Sequence, residues 1–156
     1  FLYSKPGGHG YLLNAISQIK YRYDYIIIDT SPSLNILTIN ALVSADELIV
    51  PFKPETGSIK GISLLLDTIE DVKALNREIK IAGFIIVMAD RRRKQALQNN
   101  IAYIQNVAKE NGTKVYACMI RSSASATRLT KEDLFSSGTS ANIDYDAFVK
   151  EFLKGE

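Results

Sequence analysis

Short, continuously apolar runs rich in β-branched residues alternate along this chain with longer segments whose apolar positions recur every three or four residues. That alternation predicts an α/β fold: a layered, mostly parallel sheet with helices on both faces. Four runs read as strands, Tyr25 to Asp29, Glu47 to Phe52, Ile79 to Met88 and Lys114 to Met119. Their hydrophobicity does not alternate, so each is expected to be covered on both faces. Between them, Ile59, Ile62, Leu65, Leu66, Ile69 and Val72 keep the helical period behind Ser58, a residue able to cap a helix N-terminus. A second helix runs through Leu97, Ile101, Ile104, Val107 and Ala108 and should stop at Asn111-Gly112. A third follows Asp144 through Tyr145, Phe148, Val149 and Phe152. Weaker periodicity predicts helices over Tyr11 to Tyr21, Leu34 to Ser44 and Thr127 to Phe135. No repeat or linker interrupts the pattern, so residues 1–156 read as one domain.

Composition narrows the classes. With 46% hydrophobic and 23% charged residues, the chain suits one soluble core. A net charge of +2 is too mild to mark a nucleic-acid binder, so any such role rests on where the cations sit. Cys118 is the one cysteine and His9 the one histidine, which excludes an internal disulfide and a Cys/His zinc cluster and fits a reducing cytoplasm. No apolar run reaches the roughly 18 residues of a membrane span, and the N-terminus is not built like a signal peptide. The tail carries Asp144, Asp146, Glu151 and Glu156 against Lys150 and Lys154, a balance that anionic lipid repels. The last helix is therefore expected to pack on the core.

The stretch Tyr23 to Leu34 (YDYIIIDTSPSL) places Asp29 at the end of an apolar run and follows it with a small polar turn and a helix. A carboxylate there faces the crevice at the carboxyl ends of the strands and can hold Mg²⁺ through water. A strand that simply ends at an Asp-initiated turn is the alternative, and these residues alone leave both open. Arg91, Arg92, Arg93 and Lys94 put four cations at a predicted helix start, where the macrodipole disfavours them unless an anion uses them; a solvated turn is the other reading. Cys118 sits in an apolar strand and reads as a structural thiol, while Glu70, Asp71, Glu132 and Asp133 read as solvated helix faces. The scattered tyrosines form no stacking platform for single-stranded nucleic acid.

Tyr23 to Leu34, together with Thr38 to Glu55 (TINALVSADELIVPFKPE), Gly61, Gly83-Phe84-Ile85-Ile86, Asp90, Arg91 and the terminal helix, resembles the ParA/MinD group of partition ATPases over nearly the whole chain after Leu12. The resemblance implies a P-loop NTPase-like fold. By it, Asp29 is the Walker B aspartate that holds Mg²⁺ through water. Thr30, Ser31 and Pro32 belong to the switch that senses the γ-phosphate, with Ser31 standing where the family usually has proline. Met88 and Arg121, with Ala89 and Ile120, would border the adenine; a structural role for Met88 is an equal alternative, and Met119-Ile120-Arg121 departs from the family's usual Ile-Pro-Arg. The resemblance further implies ATP and Mg²⁺ as cofactors of the intact protein and a nucleotide-closed homodimer. It implies non-specific duplex DNA held by Arg91, Arg92, Arg93, Lys94, Arg121 and Arg128, a ParB-like partner, and a cytoplasmic, nucleoid-associated location without membrane binding.

The family's phosphate loop, KGGxGK[ST], cradles phosphates with backbone amides and a lysine. Lys5-Pro6-Gly7-Gly8-His9-Gly10-Tyr11-Leu12 imitates it, but Tyr11 and Leu12 stand where lysine and hydroxyl belong, and Pro6 lacks an amide. The segment reads as an ordinary Gly-rich lead-in to a helix. The chain alone is therefore expected to bind no nucleotide and to be inactive as an ATPase, as the later part of a longer protein with a gap where the first strand would lie. A non-catalytic remnant serving as a DNA- or protein-binding module is the alternative.

Overall fold

The computed structural model describes residues 7–31, 33–89, 94–121 and 140–154. Pro32, Arg91, Arg92, Arg93, Arg128 and the helix predicted over Thr127 to Phe135 lie outside them. The chain divides into two compact units, Phe1–Leu48 with Lys60–Lys80, and Ile49–Ile59 with Ile81–Glu156.

In the first unit, 3₁₀ turns at Gly8–Gly10 and Lys20–Arg22 flank helix α1 (Tyr11–Ser17), and helix α2 spans Ile36–Ser44. The single helix expected over Tyr11 to Tyr21 stops early. No residue of α1 is fully buried, so little apolar burial is there to extend a short helix. Helix α2 is the opposite case, with Ile36, Thr38, Asn40, Ala41, Leu42 and Val43 all buried. Burying Asn40 is tolerable because its amide is fully used: Nδ2 donates to the carbonyls of Gly8 (2.7 Å) and Ile36 (2.9 Å), and Oδ1 accepts from the Leu12 amide (3.3 Å). At the other end of α2, Asn76 Nδ2 donates to the carbonyls of Leu42 (3.0 Å) and Ala45 (2.8 Å), satisfying groups that a helix C-terminus leaves orphaned.

Tyr25 to Asp29 is not a strand. The segment has no regular secondary structure, and Ile27 is 93% and Tyr25 52% exposed. A continuous apolar run encodes burial between strand neighbours, but a strand exists only when a neighbour pairs with it, and the described residues place none alongside.

The second unit holds most of a three-stranded sheet in the order β1-β2-β3, from strands β1 (Glu47–Phe52), β2 (Lys80–Ala89) and β3 (Val115–Arg121), with Glu47, Leu48 and Lys80 assigned to the first unit. β2 and β3 are parallel, so the α/β expectation holds, with helix α4 (Lys94–Glu110) as their crossover. Burial on both faces is confined to the central strand, where Gly83 to Ile86 are consecutively buried. β1 and β3 alternate more and form the edges among the described residues. Helix α3 (Thr56–Val72), most of which belongs to the first unit, begins two residues before Ser58, which sits in its first turn rather than at its cap. α4 ends as its composition demands: Gly112 takes φ +63°, and the Thr113 amide reaches back to the carbonyl of Ala108 at 2.9 Å. The last helix, α5, spans Ser140–Leu153, beginning before Asp144 rather than after it. Phe148 and Phe152 of α5 pack on the buried cluster of Ile85, Tyr116 and Ile120.

Candidate functional site

Asp29, Thr30 and Ser31 belong to the first unit and are exposed. The turn after them is built by short polar side chains. Ser31 Oγ and Ser33 Oγ share a hydrogen bond of 2.9 Å, Asn35 Nδ2 donates to Ser33 Oγ at 2.8 Å, and Thr38 Oγ1 donates to the Ser33 carbonyl at 2.7 Å. Asn35 then caps α2, its Oδ1 accepting from the amides of Leu37 (2.9 Å) and Thr38 (3.3 Å). The chain thus runs from the Asp29 carboxylate through a hydrogen-bonded turn onto a helix N-terminus.

Mg²⁺ usually takes one or two protein carboxylates and completes its shell with water and substrate phosphate, so Asp29 alone suits a water-mediated contact. The described residues contain no group of three or more His, Cys, Asp or Glu able to cage a metal by themselves. The loop from Gly7 to Leu12 commits two of its backbone amides within the protein. Gly7 is left-handed (φ +74°), but the Gly10 amide donates to the Gly7 carbonyl at 3.0 Å and the Leu12 amide goes to Asn40.

Met88 and Arg121 belong to the second unit. Met88 is 58% exposed and adopts φ +53°, a left-handed conformation in which an unbranched side chain is uncommon. The cause lies in the ladder. From Val87–Ile120 to Ala89–Arg121, β2 advances two residues while β3 advances one, so Met88 is an extra residue turned out of the pairing. The same register sets the ends of β2 and β3 level, as expected for neighbouring parallel strands.

Arg121 is engaged within the protein. Its Nε and Nη2 bind Asp144 Oδ2 and Oδ1 at 2.9 and 2.7 Å, its amide donates to Asp144 Oδ2 at 2.9 Å, and Nη2 reaches the Ser140 carbonyl at 3.4 Å. These hydrogen bonds and the Asp144 charge hold the guanidinium further above its already high range. Seven residues along α5, Glu151 accepts from the amides of Ala117 (2.8 Å) and Cys118 (3.1 Å). Burial and the neighbouring Glu151 push the Cys118 thiol up to about 11, which suits a structural thiol and not a nucleophile. Lys94 opens α4. Among the described residues, no helix is long and apolar enough to cross a membrane.

The sequence does not single out Asn40, Asp144 or Glu151 for these roles. The spacing of the two acids places them on one helix face, but what that face meets is not local information.

A family model described as an AAA domain matches residues 2–81, just over half of the chain. The sporulation initiation inhibitor protein Soj of Bacillus subtilis is 40% identical over 110 residues, covering 70% of this chain and 42% of Soj. The chromosome partitioning protein ParA of Caulobacter vibrioides is 39% identical over 99 residues, covering 63% of this chain and 36% of that protein. Among solved structures, cobyrinic acid a,c-diamide synthase from Mycobacterium smegmatis with bound ADP and magnesium superposes with a TM-score of 0.74 at 26% identity, covering 99% of this chain and 58% of that one. The chain spans less than half the length of these curated relatives.

Proposed function

The chain belongs to the ParA/MinD family of ATPases, and from that premise we propose that it is the later part of a ParA-type ATPase that partitions plasmid or chromosomal DNA through ATP-dependent dimerisation and non-specific DNA binding. One observation carries the reading beyond family membership: the exposed Asp29 carboxylate leads directly into the Ser31–Ser33–Asn35 turn and the capped start of α2. In this proposal Asp29 holds Mg²⁺ through water, and Thr30, Ser31 and Pro32 form the segment that responds to the terminal phosphate. When bound, the metal supplies charge neutralisation at the phosphates. The open run Tyr25 to Ile28 awaits a strand from the portion of the domain that the longer relatives carry, and the phosphate loop belongs to that portion as well.

By the family resemblance, Met88 and Arg121 would border the adenine in this proposal. Arg121 acts there through its place at the end of β3, since Asp144 already occupies its guanidinium. The DNA contacts then rest mainly on Arg91, Arg92, Arg93, Lys94 and Arg128, with a homodimer as the binding form and a ParB-like protein as the partner.

The test is duplex binding, followed by fluorescence anisotropy across a salt series. In the full-length dimer, Arg92→Glu with Arg93→Glu is expected to weaken binding to unrelated duplexes alike and to flatten the log-log salt slope by about 0.9 for each phosphate no longer neutralised. Unchanged affinity and slope would place the DNA elsewhere. In a parallel titration, this chain with ATP and Mg²⁺ is expected to give no micromolar binding; a micromolar isotherm would refute the assignment of the phosphate loop to another part of the domain.

A further inference from the structure

β3 is an edge of the sheet among the described residues, yet its outer backbone is not bare. Between the pairs Phe84–Val115 and Ile86–Met119, β3 advances four residues while β2 advances two, so Tyr116 to Cys118 form a bulge. The bulge leaves two successive amides, those of Ala117 and Cys118, to donate to the Glu151 carboxylate. Successive outward amides make an anion-binding concavity, and here the anion is a side chain of the protein itself. Further along the strand, the Arg121 amide and guanidinium converge on Asp144, which is only 9% exposed.

Asp144 and Glu151 are two helical turns apart, so both face β3, with Phe148 and Phe152 packing on the same side. Three backbone donors of an edge strand are therefore met by two carboxylates of a helix. An edge strand with free donors is a template for another strand, and cover by a helix is one way to close it. The strand beneath is VYACMIR, rich in β-branched and aromatic residues, free of proline, and charged only at Arg121. Segments of that composition pair with copies of themselves.

We infer that Asp144 and Glu151 form a carboxylate latch by which α5 closes the edge of β3, and that the edge it covers, once released, pairs with the same edge of a second copy of this chain. The latch does two things at once: it supplies the acceptors that a neighbouring strand would bring, and it holds α5 in register along β3.

Hydrogen exchange and sedimentation velocity without nucleotide test the inference. Glu151→Gln should speed exchange at Ala117 and Cys118, and Asp144→Asn at Arg121, each by at least about tenfold, the loss expected for hydrogen bonds to a charged acceptor. The central β2 amides of Phe84 and Ile86 should keep their protection. The double variant should self-associate with rising concentration where the wild-type chain does not, and adding Ala117→Lys, a charge at an exposed edge position, should abolish that association. Asp146→Asn removes an acid from the same helix that pairs with Lys150 instead, and should leave both readouts at wild-type values. Unaltered exchange at the three amides overturns the latch. Faster exchange without self-association, or association that survives Ala117→Lys, overturns the assignment of the covered surface. If the double variant does not fold, Glu151→Gln alone carries both readouts.

Discussion

A methyl group at Gly83 is expected to destabilise the second unit, and the geometry sets the size of the effect. A Cβ built there would stand 2.6 Å from Cε2 of Tyr116, 3.1 Å from its Cδ2 and 3.1 Å from the Lys114 carbonyl oxygen. Unbonded carbons settle at about 3.5–4.0 Å, so the overlap with the ring is roughly 1 Å. Neither neighbour can yield easily. Tyr116 is 2% exposed and meets Phe148 edge-on, with centroids 4.9 Å apart and planes at 86°. The Lys114 ammonium lies 4.9 Å from the ring centroid, and the Lys114 carbonyl accepts the Phe84 amide at 2.9 Å. Overpacking of this kind costs about 1–3 kcal/mol. Alanine recovers about 0.5–1 kcal/mol relative to glycine within a strand. Gly83→Ala should therefore lose about 1–2 kcal/mol, read as a lower urea midpoint at unchanged slope. The decisive comparison is a double-mutant cycle with Tyr116→Leu, which removes the ring. In that background Gly83→Ala should be close to neutral, giving a coupling of about 1 kcal/mol or more. An equal cost in both backgrounds, or a neutral effect against native Tyr116, would refute the packing argument.

Three further outcomes follow from buried or partnered groups. Asn40→Ala strips the Gly8 and Ile36 carbonyls and the Leu12 amide of their partner, so it should lower stability by about 2–4 kcal/mol and speed exchange of the Leu12 amide, measured by urea denaturation and hydrogen exchange. For Glu151, burial alone would raise the carboxyl, but the amide hydrogen bonds from Ala117 and Cys118, the thiol and the Lys114 charge outweigh it and hold it below its ordinary 4.5. A depressed carboxylate stabilises above its unfolded value and loses that contribution as pH falls through the folded one, so wild-type stability should drop below about pH 4.5 and Glu151→Gln should flatten that drop in acid titrations of the urea midpoint. Cys118, with its thiol pushed up to about 11, should react with iodoacetamide at pH 8 about a hundredfold more slowly than the unfolded chain; equal rates would mean that the thiol is not held by burial and Glu151.

Much of the fold is written in local pattern. The β1 boundaries match their apolar run, β2 is displaced from its run by one residue at each end, and the stop of α4 at Gly112 follows from the one residue type that takes a left-handed backbone freely. These elements are legible because the property that marks them, an apolar run or a glycine, is also the one that determines them. Asn35 shows the limit one step further on. The helix after Asp29 is legible, but its cap is one residue beyond the expected start at Leu34, because a chain of hydrogen bonds from Ser31 through Ser33 decides which side chain turns onto the helix.

The larger misses share one physical cause, which is that a residue's role is completed by what lies opposite it. Tyr25 to Asp29 has the composition of a doubly covered strand, and composition is all that a run can encode; pairing needs a second segment, so Ile27 stands 93% exposed. Asp144 has the chemistry of a helix cap and marks the expected start of the last helix. It lies instead inside α5, because the buried carboxylate has a stronger partner in Arg121, and the helix starts four residues earlier, at Ser140. Glu151 is one acid in an acidic tail until the bulge in β3 turns two amides toward it. That bulge exists only in the register between two strands separated by the whole of α4, so no window along the sequence contains it. Asp29 is the converse case. Its place after an apolar run leaves two readings open, and only a resemblance spanning many consecutive residues proposes it as a Mg²⁺ carboxylate, in a site to which other parts of the domain would contribute. A role is thus hardest to read from sequence where two distant carboxylates and one irregular strand must meet to make sense of each other.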